Sequence, residues 1–196
     1  YKRQDIFVGY RYYDTFGVDV SYPFGYGGSY TSFAMSTKSV KADKDKVTVQ
    51  VKVKNTGTVS GKEVAEVYFS APDGELDKPY QELAGYAKTD ELAPGESQIL
   101  TISFDTKEMG SYDTDKAAYV MEDGDYIIRV GNSSRNTHVA GKISVAEDTI
   151  TEQYSNLMVP VKDNPNVADD EKYPTLEPMT TEGATPVSYT HLTLPT

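Results

Sequence analysis

The chain has 196 residues, 38% hydrophobic and 25% charged, with 15 glycines and 10 prolines, an ordinary balance for a folded domain and enough chain for one core. Nineteen Lys and Arg stand against 30 Asp and Glu, and the net charge of -11 repels a phosphate backbone, so nucleic acid is set aside as a partner. Cysteine is absent, which removes disulfides, thiolate metal sites and cysteine nucleophiles together. No run approaches the roughly 18 apolar residues of a spanning helix, and no membrane partner is expected.

In chain order, residues 1–30 come first, with 7 of the 16 tyrosines and 5 glycines and no sustained period. Irregular chain this aromatic needs a surface to lie on. Its start, YKRQDIFVGY, has no signal-peptide pattern, and because it opens on Tyr1 the gene is expected to continue upstream. Localisation, cytoplasmic or secreted, stays open.

Residues 31–150 then read as short alternating segments between turn signals, the pattern of an all-β sandwich. Residues 32–40 (SFAMSTKSV) open it. In residues 47–55 Val47, Val49, Val51 and Val53 alternate with Thr48, Gln50, Lys52 and Lys54, which puts every valine on one face of a strand. After turns at Asn55-Thr-Gly57 and Ser60-Gly61 come residues 63–71 (EVAEVYFSA), whose alternation is imperfect. Residues 80–88 (YQELAGYAK) and 97–105 follow, the latter alternating Leu100, Ile102 and Phe104 with Thr101 and Ser103.

Residues 106–110 suit a single helical turn. Residues 117–121 (AAYVM) and 125–131 (DYIIRVG) flank Glu122-Asp-Gly124 and are expected to form a hairpin, with Gly supplying the positive φ of a tight turn. Residues 139–145 close a set of about seven or eight strands. No long helical pattern intervenes, which argues against βαβ architecture.

Residues 151–186 hold half of the prolines among Asp and Glu and read as a linker that does not bury enough surface to order itself. Residues 187–196 (VSYTHLTLPT) look like a translated sequencing adapter and are left out of the fold.

Chemistry is scarce. GYGGSY at residues 25–30 lacks the Lys-Ser/Thr and the strand-to-helix setting of a phosphate loop and reads as a tight aromatic turn. Before the adapter-like tail the single histidine is His138, near Asn132-Ser-Ser-Arg-Asn136. A Ser/His pair can be drawn there, but a lone solvated imidazole is the simpler reading. Neither His138 nor His191 sits in a metal-ligand spacing, so no metal and no cofactor is expected. A carboxylate pair could serve glycoside hydrolysis, yet Glu82, Asp90, Glu91, Glu96, Asp113 and Asp115 fall in turns or on alternating strands, where solvation is the default. Clustered tyrosines can stack on sugars, though they serve equally as anchors of a domain interface.

Several strings together resemble one family. Residues 6–36 (IFVGYRYYDTFGVDVSYPFGYGGSYTSFAMS), and within them GYRYYD and YPFGYGGSYTSF, are similar to the connector by which family 3 glycoside hydrolases leave their α/β sandwich domain and enter a C-terminal fibronectin type III-like domain. They depart at Gly28, where the family generally carries Leu. The likeness continues through residues 53–72 (VKNTGTVSGKEVAEVYFSAP), with Ala65-Glu66 in place of a common Val-Gln, through 78–97 (KPYQELAGYAKTDELAPGES), and through 111–137.

The resemblance covers residues 5–147. It implies an immunoglobulin or fibronectin type III-like β-sandwich with an irregular N-terminal connector, present as a fragment of a bacterial enzyme, to which the Pro- and acid-rich composition adds a disordered C-terminal tail. The family's nucleophile, an Asp on a (β/α)8 barrel, and its acid/base, a Glu on the sandwich domain, fall outside this chain, so no catalytic or substrate-binding residue carries over.

The partners it implies are the remaining catalytic domains of the same polypeptide and the glycoside substrate of the parent enzyme. That parent would be a retaining β-glycosidase, a β-glucosidase first, with xylosidase and N-acetylglucosaminidase open. In circularly permuted members the barrel follows this domain, which the linker after residue 150 suits. Tyr10, Arg11, Tyr12, Tyr13, Pro23, Phe24, Gly25 and Tyr26 are the expected domain-interface residues. The competing reading is an independent carbohydrate-binding or adhesion module, which gives no reason for so many tyrosines in the first 30 residues.

Overall fold

The computed structural model describes residues 6–155, so the expectations for the segment after 155, including the adapter-like tail, lie outside the described residues. Strand β1 (Phe33–Ala42) pairs antiparallel with β2 (Lys46–Asn55), and β2 with β5 (Ser97–Asp105), giving a three-stranded sheet. Facing it is a four-stranded sheet of β4 (Glu82–Lys88), β3 (Val64–Ser70), β8 (Gly124–Gly131) and β9 (Thr137–Val145) in that order. A small sheet is built from β6 (Ser111–Asp113), β7 (Ala118–Met121) and β10 (Thr149–Gln153), with β7 in the middle. Every pairing is antiparallel, and the two larger sheets form the expected sandwich.

The valine face of β2 is fully buried and meets Leu100, Ile102 and Phe104 of β5. Across the sandwich stand Ala65, Val67 and Phe69 of β3 with Tyr126, Ile128 and Val130 of β8. This interior is apolar and carries the hydrophobic free energy of the fold. On the opposite face of β2, Thr48, Gln50, Lys52 and Lys54 reach solvent, which is why its alternation was legible. Buried Asn55 ends β2. Its Nδ2 donates to the carbonyls of Val59 (2.8 Å) and Leu92 (2.9 Å), and its Oδ1 accepts from Thr31 Oγ1 (2.8 Å) and the Gly57 N–H (3.0 Å). Such a saturated amide fixes the turn after β2 instead of weakening the core.

Three features differ from the sequence expectations. The strands flanking Glu122-Asp-Gly124 do not form a hairpin: β7 pairs with β6 and β10, whereas β8 pairs with β3 and β9. The chain crosses between sheets there. The Glu122 carboxylate is buried against Lys78 and accepts from the Glu75 N–H (2.7 Å), so the segment turns inward rather than back on itself. Gly124 has φ +128°, and a Cβ on it would press on Pro72. Positive φ was foreseen correctly, but it does not by itself specify a two-residue loop.

Strand β10, unforeseen, carries regular structure past residue 150. Its sequence TITEQ offers one apolar side chain and no legible alternation, and it is held through the backbone of β7. The Tyr-rich N-terminal segment contains one short helix, α1 (Tyr10–Thr15), too brief to leave a periodic signal and without a capping side chain. The turn expected at residues 106–110 is a 3-10 turn, Thr106–Met109.

Candidate functional site

The imperfect alternation of β3 has a structural cause. Ala65, Val67 and Phe69 face the sandwich interior, yet Glu66, Tyr68 and Ser70 on the other face are buried too. On β8, Ile127 and Arg129 beside them are equally covered. What covers part of this second face is the Tyr-rich connector.

Tyr10 is the central contact. Its hydroxyl accepts the Leu83 N–H (2.8 Å), its ring stacks on Phe24 (4.6 Å between centroids) and its edge meets Tyr68 (6.2 Å). Arg11 pairs with Glu82 (2.9 Å) on β4, and Thr15 Oγ1 accepts the Tyr80 N–H (2.8 Å). From the loop between β8 and β9, Arg135 Nε donates to Asp14 (2.8 Å), and its Nη2 donates to the carbonyls of Tyr13 and Val18, clamping the end of α1. The Ser134 N–H donates to the Phe24 carbonyl (2.8 Å).

Gly25 lies directly over Glu66. It holds φ +81°, and a Cβ there would overlap the Glu66 carboxylate. Only glycine combines that backbone conformation with so close an approach. Beneath it Tyr68 Oη donates to Glu66 (2.6 Å). Burial pushes the Glu66 carboxyl above its ordinary range, the Tyr68 hydrogen bond opposing, and the same burial raises the Tyr68 phenol. Glu82 is likewise raised by burial despite the pull of Arg11. Arg129 Nε donates to Ser70 (3.1 Å), and its guanidinium lies over the Tyr80 ring (5.1 Å).

Among the eight expected interface residues, then, Tyr10, Arg11 and Gly25 contact the four-stranded sheet itself. Tyr12, Tyr13, Phe24 and Tyr26 keep substantial exposure, and Pro23 accepts the Tyr26 N–H within the connector's own turn. Tyr22 (71% exposed) packs on Tyr26 and extends this outward aromatic surface, and Tyr30 (99%) is exposed as well. The connector therefore has two sides, one pinned to the sandwich and one open. Glu66 and Tyr68, which lie directly beneath it, and Arg129 beside them were not singled out from the sequence. The one available signal was the broken alternation of residues 63–71.

Other candidates stay apart. His138 Nε2 is hydrogen-bonded to Thr37 Oγ1 (3.0 Å), which links β9 to β1, and desolvation lowers its pKa. Asp113 accepts the N–H groups of Asp115 and Lys116 in a turn. Among the described residues no group of three or more His, Asp or Glu could hold a metal ion, and no helix is long and apolar enough to cross a membrane.

Two antiparallel sheets packed face to face define a fibronectin type III-like sandwich, and residues 63–134 match the family model described as a fibronectin type III-like domain. β-Glucosidase A of Butyrivibrio fibrisolvens is 39% identical over 91% of this chain and 25% of its own length. The crystal structure of a β-glucosidase from Paenibacillus barengoltzii superposes with a TM-score of 0.73 at 48% identity, covering 77% of this chain and 18% of that one. A family 3 β-glucosidase from Bifidobacterium adolescentis gives 0.68 at 31% identity, over 82% of this chain and 23% of that one. In sequence and fold the chain is similar to the fibronectin type III-like portion of these β-glucosidases. It spans a quarter or less of the length of these relatives.

Proposed function

We propose that this chain is the accessory, structural domain of a β-glycosidase, a β-glucosidase first, that hydrolyses terminal β-glycosidic bonds with retention. The reacting carboxylates would lie on other domains of the same polypeptide, and residues 1–30 would be the connector arriving from the α/β sandwich domain. Supporting this is the two-sided connector: Tyr10, Arg11, Asp14 and Gly25 are fixed to the sandwich, while Tyr12, Tyr13, Tyr22, Phe24 and Tyr26 face outward. Aromatic side chains exposed on an anchored segment suit burial against a neighbouring domain. The relatives named β-glucosidases extend well beyond the matched region, which is consistent with such a neighbour.

Two measurements test the proposal. The 196-residue chain should not turn over aryl β-glucosides above a no-enzyme blank, and measurable turnover would overturn the accessory role. In a longer chain carrying the catalytic domains, replacing Tyr12 and Phe24 by Ala should speed thermal inactivation with little change in KM. A large rise in KM at unchanged stability would instead put these rings in the sugar site.

A further inference from the structure

A second aromatic surface lies on strands the connector does not cover. On the outward face of the small sheet, Tyr112 of β6 and Tyr119 of β7 are cross-strand partners, and Glu152 of β10 stands opposite Tyr119 on the other side. Tyr112 and Tyr119 have centroids 5.2 Å apart, and Tyr119 and Tyr154 6.1 Å, both edge to face. The three rings are 40%, 38% and 47% exposed. Beside them opens a cleft of about 300 Å³ lined by Lys107, Glu108, Gly110, Tyr119, Glu152 and Tyr154. The neighbouring Glu152 carboxylate raises the pKa of the Tyr154 phenol, and Lys107 Nζ stands 4.0 Å from the same carboxylate.

We propose that this cleft is a non-catalytic sugar subsite that takes one pyranose unit of a short oligosaccharide. Its composition separates it from a protein-docking surface, whose centre is depleted of Lys and Glu. Here two carboxylates and an ammonium stand at the rings themselves. A pyranose presents C–H groups on its faces and hydroxyls around its rim, which matches ring faces flanked by acceptors and a donor. The volume sits at the small end of ligand clefts, room for a short saccharide and not for a folded partner. Glu152, opposite Tyr119 across the strands and 4.0 Å from Lys107 Nζ, lines the cleft where its carboxylate can accept from a sugar hydroxyl. The site does not depend on the parent's catalytic activity.

The experiment is a titration of the isotope-labelled 196-residue chain with cellobiose, followed by two-dimensional amide NMR, with laminaribiose and maltose in parallel. Saturable shifts should concentrate at residues 107–110, 119 and 150–154, with Kd near ~1 mM. Tyr119→Ala and Tyr154→Ala should each weaken binding about ten-fold, a loss of the order of one ring contact, and Tyr119→Phe should retain it. Should Tyr119→Ala not fold, Tyr154→Ala, at the sheet's edge, carries the test. No saturable shift with any of the three sugars would overturn the proposal, and so would shifts confined to Tyr22, Phe24 and Tyr26. Shifts that survive both alanine variants would overturn it as well.

Discussion

The two large sheets share one interior but differ on their outward faces. Behind β2 the outward positions are Thr48, Gln50, Lys52 and Lys54, open to water. Behind β3 they are Glu66, Tyr68 and Ser70, buried beneath or beside a segment that arrives from more than 40 residues earlier in the chain. The first face needs only solvation. The second pairs many of its polar groups, through Tyr68 to Glu66, Arg129 to Ser70 and Tyr10 to the Leu83 N–H, while Gln81 Oε1 and Ser134 Oγ stay buried without a partner. A sheet can thus carry a second buried layer without becoming hydrophobic on both sides when most of its buried polar groups find partners.

The sharpest way to break this comparison is to truncate matching positions. Tyr68→Ala on the covered face should destabilise the domain by about 3–5 kcal/mol, as large aromatic deletions in a core do. Chemical denaturation reads this directly, and a loss within about 0.5 kcal/mol, typical of an exposed site, would show that the covered face is not a second packed layer.

Next in size is Gly25→Ala, which forces a side chain into both a left-handed backbone and the Glu66 carboxylate. A cost of about 1–3 kcal/mol is expected for such strain. It should fall on the connector: chymotrypsin cleavage near Tyr22, Phe24 and Tyr26 should accelerate. Unchanged proteolysis would mean that Gly25 does not latch the segment.

A pH experiment sharpens the comparison further. Burial raises the Glu66 carboxyl above its ordinary value of 4.5, so between that pH and the native value the folded state holds a proton that the unfolded chain has released. Stability from this group is therefore fully present below about pH 4.5 and declines as pH rises through the raised native value. Glu66→Gln should remove that decline, seen as a wild-type minus variant difference in Tm that changes between pH 4 and 7. Asp43 and Asp113, lowered by backbone N–H groups donated to them, act oppositely and at lower pH, where stability falls as they protonate. A flat difference would mean that Glu66 is solvated and the connector loose. The smallest effect should come from Lys52→Ala on the open face, within about 0.5 kcal/mol by the same denaturation assay.

Much of this was legible residue by residue. The Val47, Val49, Val51, Val53 alternation located β2 and its buried face because strand geometry forces period 2 and only one side of that strand meets the core. The alternation of Leu100, Ile102 and Phe104 did the same for β5, and the Tyr- and Gly-rich opening marked a segment in need of a surface.

Pairing was another matter. Strands β7 and β8 are separated by a glycine turn, and local sequence favours a hairpin; they lie in different sheets because Glu122 turns inward to Lys78 and each strand finds distant partners. Strand β10 was invisible because backbone hydrogen bonds to β7 hold it, and any sequence can make those. The bed of Glu66, Tyr68 and Arg129 was hidden for the opposite reason: polar residues on a strand read as solvent-facing until a remote segment covers them. Local sequence determined which side chains alternate and where the chain turns, because those depend on backbone geometry over a few residues. Tertiary structure alone decided which strands pair and which polar face is buried, because those depend on contacts between residues far apart in the chain.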